Sequence, residues 1–247
     1  MKKINVSIHP VGCSGIVCYV GDSISDETND MVHIISNHFK HKMKHKFIGV
    51  VPSYHSVTFY YDSLTYSFFE LKKEVEEQIL KLQTFNMKYK KTIYEIPVCY
   101  ESQYGPDIEN VVAHNQISIN EVIQMHQQNL YRIYMIGFLP GFPYLGGLNP
   151  KLTTPRLKKP KLVRQGAVGI AGDQTGIYPF ESPGGWNIIG QTPVTIFSNN
   201  RDDTVLFQSG SFLRFKSINE IEYAEIEKSI KEGSFSLKKE VLEVDEN

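Results

Sequence analysis

The sequence predicts an α+β chain in two parts, a small ferredoxin-like α/β sandwich over residues 1–100 and a barrel or sandwich of short strands over 101–247. Three observations carry this. Alternating strand patterns and two amphipathic helices fill the first part. A polar stretch with a Gly-Pro break follows at Glu101–Asp107. Beyond it, 11 of the 18 glycines and 7 of the 12 prolines crowd into residues 137–190. No helix tolerates that density, so tight turns and short strands must build the region.

Residues 4–9 alternate as a half-buried strand does, and 16–20 form a second apolar run. A helix is expected from about Ser25, with Met31, Ile34, Ile35, His38 and Phe39 on one face. Lys40, Lys42, Lys44 and Lys46 suit its C-terminal end, where the helix dipole favours cations. Residues 47–51 read as a buried strand, Pro52–Tyr54 as a turn and 55–61 as a β-branched and aromatic strand. A second helix near 67–85 sets Phe68, Leu71, Val75, Ile79 and Leu82 on one face. The strand at 92–99 carries Pro97, which has no N–H to donate, so it is expected at an edge or as an exit.

After the break, Asp107 is expected to cap a short helix over 108–114. Ser118 and Glu121 form a capping box for a helix to about Gln128. Strands are expected at 166–171, 176–180, 186–189, 194–197, 204–207 and 212–216. A last helix over 218–231 would place Ile218, Ile221, Ile226 and Ile230 on one side, and the tail 235–247 is expected to add a strand.

Composition narrows the function. Lys and Arg total 26 against 27 acids, a balance that argues against dedicated nucleic-acid binding. Cys13, Cys18 and Cys99 show no CxxC and no metal spacing, so free thiols and no metal site are expected. The N-terminal apolar residues are interrupted at Asn5, Ser7, His9 and Pro10, unlike a signal peptide, and no run reaches membrane length. A cytoplasmic protein is expected.

Four features can carry chemistry. The loop Gly137–Gly147 combines stiffening prolines with Phe138, Phe142 and Tyr144, and reads either as a substrate or partner surface or as a packed turn. Beside it, Pro155 and Leu157 brace Arg156, whose planar fork suits a carboxylate or phosphate. Gln165 follows at the next glycine turn. Gly169–Tyr178 presents Gln174 and Tyr178 among glycines that let backbone approach a ligand, yet matches neither GxGxxG nor a P-loop. Trp186 follows a Gly-Gly turn and either stacks on a ligand or closes a barrel end. His126, late in its helix, is a candidate base or a structural histidine.

Read together, IPVCY at 96–100, GPD at 105–107, VVAHN at 111–115, GFLPGFPYLGGL at 137–148, TPR at 154–156, VRQGAVGIAGDQTGIYP at 163–179 and SPGGWNIIGQTP at 182–193 closely resemble the family of the 5-oxoprolinase B subunit. That family is also called the KipI or allophanate hydrolase subunit 1 family. The resemblance implies a ferredoxin-like N-terminal domain and a cyclophilin-like β-barrel. It implies pairing with the cyclophilin-like C subunit of 5-oxoprolinase and work with its A subunit. The assembly would open 5-oxoproline to glutamate using ATP and Mg²⁺, with this chain inactive alone. It leaves two alternatives, inhibition of a sensor histidine kinase and a part in urea or allophanate breakdown. On this reading Arg156, Gln174, Tyr178 and His126 are the candidate catalytic groups. Phe138, Phe142, Tyr144, Gln165 and Trp186 are the candidate substrate or partner surface.

Overall fold

The alternation at the start of the chain resolves into a hairpin, β1 (Val6–Val11) and β2 (Gly15–Val20), turned at Gly12 with its φ of 58°. The computed structural model describes residues 5–82, 89–201 and 203–244. Residue 4, the expected helix end at 83–85 and the tail at 245–247 lie outside them. The chain divides into two units, the second spanning Lys90–Glu243 and the first holding what precedes it together with Val244.

In the first unit, α1 (Asp26–Lys42), β3 (Gly49–Pro52), β4 (Ser56–Tyr60) and α2 (Phe68–Leu82) follow the hairpin. The sheet order is β1–β2–β4–β3, antiparallel throughout. Ser25 caps α1 by accepting from the Thr28 N–H. Met31, Ile35 and Phe39 of α1 and Leu71, Val75 and Ile79 of α2 share one core with Ile16, Cys18, Val57 and Phe59 of the sheet. Asn29, fully buried, donates to the Ser53 and Tyr54 carbonyls and so ties α1 to the β3–β4 turn. The strand expected as buried at 47–51 is instead an edge strand starting at Gly49. It has a neighbour on one side only, and Ile48 and Val51 are exposed.

The second unit opens with β5 (Tyr89–Cys99), α3 (Ile108–Asn115), α4 (Ile119–Gln128), β6 (Tyr131–Ile136) and β7 (Pro143–Gly146). It continues with β8 (Lys161–Val163), β9 (Ala167–Ala171), β10 (Gln174–Ile177), β11 (Ser182–Gly184) and β12 (Asn187–Gln191). β13 (Phe212–Ile218), α5 (Glu220–Lys231) and β14 (Lys239–Val244) complete it. Its main sheet runs β12–β9–β10–β7–β6–β13–β5–β14, and the pairing of Gln191 on β12 with Cys99 on β5 closes seven strands into a barrel. β14 stays outside the ring. Inward residues such as Ile96, Ile133, Leu145, Val168, Ile170, Ile177 and Phe215 fill the interior with Val111 of α3 and Val122 of α4.

Several expectations change here. The strand expected at 92–99 is neither edge nor exit, because β13 runs parallel to it from Ile93 to Cys99. On its other side the Glu95 N–H donates to the Lys238 carbonyl. Pro97 lies two residues on, so its missing donor faces the gap between that pairing and the Gln191–Cys99 contact. Asp107 stands at the N-cap of α3 without capping it. Its carboxylate instead accepts from the Ile188 N–H at 2.8 Å and pairs with Lys161 at 2.7 Å. Ser118 and Glu121 do form the capping box. Segments 194–197 and 204–207 are loops joined by one bridge, Phe197 to Val205. The apolar face expected on α5 is not buried, since no residue of that helix is buried and Ile221 is 71% exposed.

Candidate functional site

The strand β9 reads Ala-Val-Gly-Ile-Ala. Alternation sends Val168 and Ile170 into the barrel and leaves Ala167, Gly169 and Ala171 outward. On β10, Ile177 points in and Gly176 out. This outer wall is almost without side chains, and aromatic rings lie on it. A Cβ on Gly176 would stand 2.7 Å from Cζ of Phe142, and one on Gly169 would stand 3.1 Å from Cβ of Trp186. Phe142 makes edge contacts with Tyr144, Tyr178 and Trp186 at centroid distances of 5.1, 5.3 and 5.4 Å.

The structure thus brings Phe142, Tyr144, Tyr178 and Trp186 together but makes most of them a floor. Phe142 is 1% exposed, Tyr178 1% and Trp186 6%. The expected contact surface at Phe142 and Trp186 is therefore packing. The Tyr178 hydroxyl, pushed up to about 12 by burial, is hydrogen-bonded to the Trp186 backbone. It stays protonated near neutral pH and braces the Gly184–Trp186 turn.

Phe138 stands apart at 64% exposure, its ring edge-on to Phe142 at 5.7 Å. Its φ is +66°, and the Leu139 N–H donates to the Gly137 carbonyl across it, a γ-turn of the rare positive-φ kind. The Phe142 N–H then donates to the Leu139 carbonyl over Pro140 and Gly141, the latter at φ +88°, the signature of a type II turn. Two consecutive turns hold an aromatic side chain outward in a strained conformation.

Arg156 rises over this floor. The Pro155 carbonyl accepts from the Asn187 side chain at 2.8 Å, and the Leu157 N–H donates to the Gly185 carbonyl at 2.8 Å. Thr154 exchanges both backbone bonds with Gly172 at the β9–β10 turn. The residue is pinned on both sides while its side chain stays exposed and close enough to pull the Tyr144 and Tyr178 hydroxyls down electrostatically, against the larger effect of their burial. Among the described residues no carboxylate pairs with it. Gln174, opposite Ala171 in the β9–β10 register, lies on the same outward face. Gln165 does not join this group. It lines a separate cleft with Tyr223 and Glu227 of α5.

His126 lies on the other side of the wall, inside the barrel. It is fully buried and stacked on Phe215 at 4.3 Å. The Thr175 hydroxyl donates to the Gly169 carbonyl at 3.0 Å, so its oxygen accepts from His126 Nε2 at 3.0 Å. That leaves Nδ1 to accept from the Tyr100 hydroxyl at 2.7 Å. Burial lowers the imidazole to about 3, so the ring is neutral. A catalytic base needs access to the reacting atoms, and His126 has none. It positions β10 from within. Tyr100 and Thr175 are partners that the sequence does not single out. The one signal for Thr175 is its place two residues before Ile177, on the inward-facing parity of β10.

Among the described residues no group of three His, Cys, Asp or Glu side chains converges as metal donors, and no helix is long and apolar enough to cross a membrane. Cys13 is exposed, Cys18 and Cys99 are buried, and all three are free thiols.

The family model for the carboxyltransferase domain, subdomain C and D, matches residues 6–207. The B subunit of 5-oxoprolinase from Bacillus subtilis is 35% identical over 231 residues, covering 89% of this chain and 96% of that one. The protein of the same name from Haemophilus influenzae is 36% identical over 216 residues, covering 85% and 97%. A crystal structure of TTHA0988 superimposes with a TM-score of 0.73 at 31% identity, over 83% of this chain. The match spans only 40% of that protein's length.

Proposed function

The chain belongs to the family of the 5-oxoprolinase B subunit, and on that premise we propose that it is one subunit of an ATP-dependent enzyme that opens 5-oxoproline to glutamate. We read the first unit as a ferredoxin-like sandwich with its strand order permuted and the second as a cyclophilin-like barrel. The partners on this reading are the C and A subunits of the same enzyme.

The observation that carries the site is Arg156, an exposed guanidinium anchored on both backbone sides and, among the described residues, without a protein carboxylate. Its backbone is already fixed, so only the side chain's own torsions have to be ordered when an anion arrives. Its role is to hold the 5-oxoproline carboxylate through a bidentate pair. Tyr144 and Gln174 offer polar groups on the same outer face, and Phe138 offers an apolar one beside it. An unstrained lactam is a poor electrophile, and ATP supplies a better leaving group at its oxygen. ATP and its metal belong to the complex on this reading, and we assign no residue of this chain to them.

Mixing all subunits and measuring ATP-dependent glutamate release tests both levels. Omitting this chain should abolish release. Arg156→Ala should lower kcat/KM by roughly 10- to 100-fold, a loss of about 1.4–2.7 kcal/mol, with the complex still assembled. Unchanged turnover would remove Arg156 from the site, and release without the chain would end the functional reading.

A further inference from the structure

A second cleft lies in the barrel unit, and it shares no lining residue with the aromatic floor or Arg156. It measures about 570 Å³, within the range of small-molecule sites. The 194–201 loop and Leu206 form one wall, and Ile230 of α5 with the Phe235–Leu237 segment forms the other. Lys239, at the start of β14, closes it.

Its chemistry is one-sided. Among the described residues two cations line it and no acid does, although the chain carries a net charge of −1 and α5 itself is rich in glutamate. Arg201 gives its terminal nitrogens to backbone carbonyls, to Thr195 at 2.9 Å, Ile196 at 3.0 Å and Thr204 at 3.4 Å. Carbonyls satisfy its hydrogen bonds but add no negative charge, so none of these partners offsets the guanidinium. Its Nε is buried without a partner among the described residues. The Lys239 ammonium sits over the Tyr94 ring at 5.3 Å, and no described carboxylate pairs with it. Val194, Leu206, Phe235 and Leu237 make the body of the cleft apolar.

We infer that this cleft binds a small organic anion with an apolar body, of the aryl or alkyl carboxylate class, its charged head at Lys239 and Arg201 and its body against Phe235 and Leu237. Apolar walls alone would take a neutral molecule, and two cations on an open surface would take any ion. Their combination selects for both features at once. The site stands independently of the catalytic reading.

The test uses the full chain and 8-anilinonaphthalene-1-sulfonate, a fluorescent aryl anion, beside its uncharged counterpart N-phenyl-1-naphthylamine. The expected result is saturable one-site binding of the anion, at least tenfold tighter than the neutral probe. Lys239→Glu should weaken it at least tenfold, and Ser236→Trp, which fills the cleft, should abolish it. Both variants should keep the parent Tm. Arg201 is left intact because it also ties its loop together. No saturable binding, equal binding of the neutral probe, or an affinity unmoved by both substitutions would overturn the assignment.

Discussion

Phe138 shows how one residue can reveal a constraint. A bulky side chain at φ +66° costs about 1–2 kcal/mol relative to glycine. Phe138→Gly should therefore be more stable than Phe138→Ala by about 1 kcal/mol in urea unfolding, the reverse of the usual order for an alanine–glycine pair. The usual order would mean the turn relaxes to negative φ. His126 carries a pH signature of its own. The folded ring titrates at about 3 and the unfolded one near 6.5, so between those values the unfolded chain binds the extra proton. The stability from this group is complete above pH 6.5 and is lost as pH falls towards 3. From pH 7 to pH 5 the loss should be about 2 kcal/mol. His126→Gln, having nothing to titrate, should flatten the stability–pH curve by that amount, and a parallel curve would refute the assignment.

At the scale of single elements, β9 and β10 act as one wall with two different faces. Thr175 bonds inward while its neighbour Gly176 makes room outward for Phe142. Gly176→Ala should cost about 1–3 kcal/mol through overpacking, and it should change the near-ultraviolet circular dichroism as Phe142 shifts against Trp186. An unchanged spectrum and stability would show that the rings do not rest on the strand. This is also where legibility in the sequence ends. The Ser118–Glu121 box is readable because capping is local. Arg156 is readable because Pro155 and Leu157 flank it. The floor role of Phe142 and Trp186 is not, since small outward residues on β9 gain meaning only when the inward side is known. β7 is hidden too, because the glycines and prolines around Phe142 read as loop, whereas β6 holds neither residue and its aromatic and β-branched run is a strand signal the expected elements leave out.

For the whole molecule, the closing contact joins Gln191 to Cys99, residues far apart in sequence, and no local pattern announces it. Two amphipathic helices and alternating strands suffice to suggest the α+β class. The division of the chain is less visible, since the segment at 92–99 looks like any strand until β13 is found beside it in register. Asp107 has two plausible duties, and only the fold shows that it holds Ile188 and Lys161 rather than the helix that follows it.

The ring closes only where Gln191 meets Cys99, so the earlier part of β5 borders β14 instead of β12, and among the described residues β14 carries the free border of this sheet. The Glu95–Lys238 pairing covers part of β5 from outside. Cutting the chain after Ser236 would strip that cover and leave bare backbone donors and acceptors facing solvent. Shortened chains should then stick to one another edge to edge, visible as rising light scattering with concentration, while the full chain stays dispersed.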